Sequence, residues 1–497
     1  MGRGVHIAIA GICAALALIL PATSLASSSA AGHLRMATDS NADFSNLSLT
    51  AQRHGYVILN AWQTDKLQQL KAANPDVKVL VYKNLSASIA SSNTGYRSTG
   101  VSYQQADSQH PEWFLKNASG QHFHFNDYGY LWAMDVGSRS YQQAWANNVI
   151  SELQKNGWDG VFMDDTNTTM RYHYDPSKIA KYPTDSRWQA ATQSALAYIG
   201  PHVQAAGKLA VANVGSWGEY PSVGRSWLQY LSGAMDEMFV KWGSAAGSGY
   251  ADQARWSTQL DSLKYAQQQG KDFLAVTHSS SGDAAAARYG WATVLLGAQG
   301  GADYSMAPDY TTETWFPEYD YEIGDPSGPE SADPNGVHRR VFTNGIVVVN
   351  PTSSQLTANL NGTYSGSGLS QVSSVSLAPH SGYVLSGTAS GDGSSGASTT
   401  TTVTHTPRQG GGKVKGAVSG SSTSAKIATA STLSRGQVRL RLDRKRHGHW
   451  RSVRAARTTR LSSDGRFDEG LRGFGGPKLH SGTYRVQARF RKFQLRG

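Results

Sequence analysis

Between residues 53 and 305, short apolar runs alternate with longer amphipathic ones. The short runs read as strands: GYVILN (55–60), VKVLVYKN (77–84), YLWAMDV (130–136), DGVFMDD (159–165), LAVANVG (209–215), GAMDEMFVKW (233–242), DFLAVTHS (272–279) and GGADYSM (300–306). Brief apolar runs bounded by turn residues are the pattern of strands covered on both faces in a parallel sheet. Between them, TDKLQQLKAAN, YQQAWANNVISELQKNG and DQARWSTQLDSLKYAQQQG read as helices. The second sets apolar residues near every third or fourth position and stops at Asn-Gly. Eight strands, mostly each followed by a helix, predict an α/β fold, a (β/α)8 TIM barrel over residues 50–317. An open doubly wound sheet would need a Gly-rich phosphate turn after its first strand, and none is present.

The period then shortens. HRRVFTNGIVVVNPTSSQLTANLNGTY and VSSVSLAPHSGYVLSG alternate apolar and polar residues around Asn-Gly, which predicts a small antiparallel β domain over 318–387. Residues 388–422 are rich in Gly, Ser and Thr and read as a flexible linker. Beyond it, QVRLRLDRK, WRSVRAAR and GTYRVQARFRKF alternate around SSDGRF, predicting a β-sandwich over 423–497.

Charge sharpens this division. The 497 residues carry a net +11, yet residues 423–497 alone hold 19 Lys and Arg against 4 Asp and Glu. The terminal module is therefore strongly basic and the rest slightly acidic. A basic module suits attachment to an anionic cell wall or polysaccharide by charge attraction that salt weakens. Nucleic acid is disfavoured, because stacking aromatics are few there and no binding motif occurs. At the other end, Arg3, the apolar run VHIAIAGICAALALIL and Ser24-Leu25-Ala26 read as a signal peptide over 1–26. Secretion is the expectation, with wall association through the basic module. Cys13, the single cysteine, lies in that leader, so the mature chain would have neither a disulfide nor a thiol nucleophile. No later segment is apolar enough to span a membrane.

The candidate chemistry lies where predicted strands end, because a barrel's interior is packed and its reactions occur at the C-terminal mouth. Asp164 and Asp165 end the fourth predicted strand. Alternation along a strand would send them to opposite faces, with Asp164 in the mouth and Asp165 orienting it, binding a substrate hydroxyl or capping the next turn. Asp135, Asp236, Glu237 and His278 stand at other strand ends. Carboxylates from strands far apart in sequence point to convergence on one site, and two of them suffice to cleave a glycosidic bond. Asp164 reads as nucleophile or base and Glu237 as general acid, with Asp236 its substitute. Glu219, after the fifth strand, is a further candidate acid or else a solvated loop residue. Trp62, Trp132, Trp217, Trp242 and Tyr304 offer flat faces for stacking on sugars, with core packing as the alternative for each. Lys83 and Asn213 could hydrogen-bond hydroxyls.

At these residues the chain resembles a known family. HPEWFLKNASGQ, WAMDVGSRSYQQAW, GWDGVFMDDTN and VVVNPT together look like the barrels catalogued as hypothetical glycosyl hydrolase family 15, which are similar to polygalactosaminidase and α-galactosidase barrels. The resemblance covers roughly residues 50–387. It implies a barrel with a catalytic Asp after strand four, placed here on Asp164, and a small β domain behind the barrel. The tail's W-x-x-V and G-x-Y-R-V patterns look like an immunoglobulin-like module of secreted bacterial proteins.

Rival signals are weaker. His122 and His124 have the His-x-His spacing of metal hydrolases, but they precede the third predicted strand rather than ending the first. No Gly-x-Ser-x-Gly elbow occurs, which argues against a serine hydrolase. Nothing calls for a cofactor or a metal. Two readings remain: a glycoside hydrolase acting on a poly- or oligosaccharide, and a non-catalytic glycan-binding or wall-binding protein on a barrel scaffold.

Overall fold

The computed structural model describes residues 30–39, 41–90, 98–245 and 247–389, together with strands beyond residue 417. The proposed leader and nearly all of the 388–422 linker lie outside the described residues. The chain divides into two compact units, Met1–Ser390 and Gly391–Gly497.

In the first unit the strands are β1 (Gly32–Ala37), β2 (Tyr56–Leu59), β3 (Lys78–Asn84), β4 (Ala87–Ile89), β5 (Leu131–Ala133), β6 (Gly160–Asp164), β7 (Leu209–Asn213), β8 (Gly233–Asp236), β9 (Asp272–His278) and β10 (Ala302–Ala307). Eight of them close into a parallel barrel in the order β1-β10-β9-β8-β7-β6-β3-β2. The main helices are α1 (Leu47–Arg53), α2 (Thr64–Ala73), α3 (Tyr103–Gln109), α4 (Arg139–Asn156), α5 (Asp185–Ala205), α6 (Pro221–Trp227), α7 (Gln253–Gln268) and α8 (Ala284–Gly297). Local signals set their ends. Ser138, Thr184, Asp252 and Asp283 cap helix N-termini with side-chain acceptors, and Gly157 closes α4 in the left-handed region at φ 81°.

Membership of the barrel differs from the expectation at two places. β1 lies ahead of residue 50, and the 130–136 run is not a barrel strand. Its core, β5, pairs antiparallel with β4 outside the barrel. β1 escaped because its outward residues His33 and Arg35 are polar yet buried, which breaks the apolar run expected of an inner strand. The two differences compensate, so β6 is still the fourth barrel strand.

Strands β11 (Ser331–Ala332), β12 (His338–Phe342), β13 (Gly345–Asn350), β14 (Leu356–Gly366), β15 (Leu369–Leu377) and β16 (Ser381–Ala389) form one antiparallel sheet behind the barrel. One face of this sheet has its own core, including Val337, Ile346, Val348 and Leu385. Residues of the other face, Val347, Val349 and Val384, join the main core with the apolar helix α8. Arg340 fastens the junction, donating from Nη1 to the Leu295 and Ala298 carbonyls at the end of α8.

In the second unit, β17 (Val418–Ser419) pairs with β18 (Lys426–Ile427). β19 (Leu433–Arg446) pairs antiparallel with β20 (His449–Ser452), β21 (Arg457–Arg460) and β22 (Tyr484–Leu495).

Candidate active site

The barrel interior is filled by Leu34, Met36, Tyr56, Ile58, Leu80, Phe162, Val211, Met235, Leu274 and Val276. Side chains two residues apart share a face. One step of two beyond these interior residues reaches Asn60, Tyr82, Asp164, Asn213, Glu237 and His278, all at the C-terminal mouth. All of them except His278 line a hollow of about 660 Å³.

Asn213 ties the acidic pair together. Its Nδ2 donates to Asp164 Oδ1 at 2.9 Å and to Glu237 Oε2 at 2.7 Å, so those two legs cap the separation of the oxygens at 5.6 Å. Tyr82 donates its hydroxyl proton to Asp164 Oδ2 at 2.6 Å. Tyr310, just past β10, donates to Glu237 Oε1. His278 Nε2 lies 2.9 Å from the Tyr310 hydroxyl and 3.7 Å from Glu237 Oε1.

Asp165 departs from the expected alternation. It adopts φ 51°, a left-handed conformation rare for a non-glycine residue, and so both aspartates line the hollow. Asn84 donates to Asp165 Oδ2 at 2.5 Å and Asn167 to Oδ1 at 3.3 Å. His173 Nε2 stands 3.5 Å from Asp165 Oδ1, while its Nδ1 is 2.9 Å from Asp127 Oδ2.

This crowding separates the carboxyl groups electrostatically. Burial, then repulsion from Asp165 and Glu237, pushes Asp164 up to about 7 against the hydrogen bonds from Tyr82 and Asn213. Burial also raises Asp165, opposed by His173, Asn84 and Asn167. For Glu237 burial again works against the charge, but the His278 imidazole nearby and the hydrogen bonds from Tyr310 and Asn213 outweigh it and hold the group below its ordinary value.

The remaining sequence candidates divide. Trp62 and Trp242 line the hollow with exposed rings, 42% and 47% accessible, and are placed to stack on a ligand. Trp217 borders the hollow but is buried against Phe273, so it is wall rather than platform. Asp236 also borders it. Its parity turns the carboxylate toward α7, where Gln259 donates to it at 3.0 Å, and burial raises it to about 6.

Five candidates fall elsewhere. Lys83 points outward and is buried in an ion pair with Glu152 of α4 at 2.7 Å. Asp135 is held at 2.5 Å by both Lys181 and Tyr182. Trp132 packs on Tyr103 and His124. Tyr304 is outward-facing core beside Trp291 and Tyr319. Glu219 pairs with Arg171 and accepts from Tyr172 on the exposed rim. Among the described residues no three His, Cys, Asp or Glu side chains are grouped to hold a metal ion. His122 stacks on Phe114, and His124 meets Trp132 edge-on.

Sequence reasoning missed Tyr82, Tyr310, Asn84, His173, Asp127 and the exposed Tyr128 and Tyr130, all at the hollow. Tyr82 was recoverable, because it stands two residues beyond the interior Leu80. Tyr310 follows its strand in a loop without periodicity.

A closed parallel barrel with acidic and aromatic side chains gathered at its C-terminal mouth has the architecture of the barrel hydrolases. More particularly, the chain belongs to hypothetical glycosyl hydrolase family 15, which it matches over residues 71–346, more than half of its length, and it is a hydrolase acting on glycosyl bonds. No curated protein matches the sequence. Among solved structures, it is similar to Ega3 of Aspergillus fumigatus in complex with galactosamine (10% identity, 60% of this chain and 98% of that one, TM-score 0.35). It is also similar to an α-amylase of Geobacillus thermoleovorans complexed with acarbose (11%, 73% and 98%, TM-score 0.39). An α-amylase of Malbranchea cinnamomea is a third (11%, 72% and 96%, TM-score 0.40).

Proposed function

We propose that the chain is a secreted glycoside hydrolase that cleaves O-glycosidic bonds of a poly- or oligosaccharide with Asp164 and Glu237 as its working pair. The observation that carries this reading is the Asn213 bridge between the two carboxylates. A nearest-oxygen separation of at most 5.6 Å is closer to the ~5–5.5 Å of retaining glycosidases than to the ~6.5–9.5 Å of inverting ones. Retention needs one protonated and one ionised group. The sequence made Asp164 the nucleophile or base and Glu237 the acid, but the electrostatics favour the exchange, with the proton on Asp164 and the charge on Glu237. Asp164 then protonates the leaving oxygen as Glu237 attacks the anomeric carbon. Water, deprotonated by Asp164, releases the glycosyl group in the second step. Trp62 and Trp242 would hold flanking sugar rings. The signal peptide over 1–26 and an immunoglobulin-like basic module bound to an anionic wall complete the reading.

Digestion of a glycan panel read by mass spectrometry would identify the substrate. Asp164→Asn and Glu237→Gln should each lower turnover at least ~10²-fold, the lower range for a positioned acid–base group. Azide added to Asp164→Ala and Glu237→Ala separates the roles: the nucleophile variant gives a glycosyl azide of inverted configuration, and the acid variant gives a retained one. Full activity in both Asp164→Asn and Glu237→Gln would remove the assignment. Tight glycan binding without any product from the wild type would favour the non-catalytic reading.

A further inference from the structure

We infer that Tyr310 and His278 act together as a positioning pair that keeps Glu237 the charged member of the site; this rests on the role given to Glu237 above. Tyr310 has one hydroxyl proton. It donates that proton to Glu237 Oε1, which leaves its oxygen free to accept. His278 Nε2, at 2.9 Å, is then the donor to that oxygen, which fixes the imidazole tautomer. The result is a directed chain, from His278 N–H to Tyr310 O–H to the Glu237 carboxylate, in which each bond polarises the next.

The imidazole cannot easily turn away. Trp242 meets it edge-on at 4.3 Å and the Tyr310 ring does so at 5.5 Å. The charged and titratable groups around Glu237 otherwise oppose its ionisation or neutralise a neighbour instead. Asp164 and Asp165 come from β6, Asp236 precedes Glu237 in the chain with Arg255 of α7 beside it, and Tyr128 faces across the hollow. Apart from this chain, only Asn213 donates to Glu237 among the described contacts, and it donates equally to Asp164. Tyr82 on Asp164 mirrors Tyr310 on Glu237, so the asymmetry between the two acids comes from His278 behind Tyr310, which has no imidazole counterpart behind Tyr82 among the described contacts, and from Asp165 beside Asp164. Without His278, the Tyr310 hydroxyl is free to rotate and accept a hydrogen bond from a protonated Glu237 rather than donate one.

The test needs no substrate. In the full chain labelled with [δ-13C]glutamate, the Glu237 carboxyl resonance is the one lost in Glu237→Gln, and its pH titration is followed directly by NMR. In Tyr310→Phe and in His278→Leu the midpoint should rise, with a roughly tenfold gain in proton affinity for each lost charge-assisted hydrogen bond. His278→Gln, which can present an N–H donor to the same oxygen, should stay near wild type. An unchanged midpoint in Tyr310→Phe overturns the proposal. So do equal shifts in His278→Gln and His278→Leu, which would mark a merely structural imidazole. If Tyr310→Phe does not fold, the two His278 variants still decide. Because the readout is protonation, it stands apart from whether any glycan is cleaved.

Discussion

Replacing Asp164 by Asn should make the protein more stable at alkaline pH while removing its activity. Asp164 has a folded value near 7 against an ordinary 3.8, because it is buried and faces Asp165 and Glu237. The folded state therefore binds the Asp164 proton more tightly than the unfolded state does. Stability contributed by this group is intact below about pH 3.8, falls as pH rises through the window up to 7, and is level above it. A gap of about three pKa units corresponds to roughly 4 kcal/mol at most. Asp165 and Glu237 take up protons more readily when Asp164 is charged, which shares the penalty, so the expected gain is ~1–3 kcal/mol. Asn has the shape of the protonated acid, so it should keep its contacts with Tyr82 and Asn213. Urea unfolding of wild type and Asp164→Asn at pH 4 and pH 8 measures this. Near-equal stability at pH 4 and a more stable variant at pH 8 is the expected outcome. A variant that is less stable at pH 8, or a difference that does not change with pH, would refute the claim that Asp164 is a strained charge.

Two further substitutions separate stability from chemistry. Asp303→Asn, at the opposite end of the barrel, removes a carboxyl that burial raises to about 7 and whose Oδ1 lacks a hydrogen-bond partner; it should show the same pH-dependent stabilisation in urea with turnover unchanged. Lys83→Met strands Glu152 in the core and should cost ~3–5 kcal/mol in the same unfolding assay, while Lys83→Met combined with Glu152→Leu recovers most of the loss and leaves kcat alone.

The sequence carried the barrel because seven of its eight strands are short, mainly apolar runs, and that pattern is detected directly. It misassigned the remaining one for a reason specific to β1. His33 faces an aromatic layer made by Trp291, Trp315 and Tyr319, Arg35 donates to the Asp43 and Thr311 carbonyls, and no local pattern reports what an outer layer will be. Counting by alternation from the interior residues would have placed Lys83 and Tyr304 outside and Tyr82 inside. Strand-end position alone mixed the two faces. Asp165 marks the limit of that counting too, since alternation holds only while the backbone stays extended, and here it turns left-handed at the last step.

A displaced pKa does not by itself identify the site, because Asp164 and Asp303 are both buried carboxyls raised to about 7. Their surroundings differ in what the chain has built around them. Asp303 faces the closed end, where Gly32 and Gly55 merely make room for its oxygen. At Asp164, donors from β3 and β7 converge on both oxygens, a second carboxylate just past β8 shares one of those donors, and an open hollow of about 660 Å³ gives access. Burial alone can raise a pKa at any packing fault. Side chains at the ends of four separate barrel strands meet with complementary hydrogen bonds only where the fold is organised around the group they hold. The functional reading therefore rests on that convergence, and the electrostatic strain is its consequence.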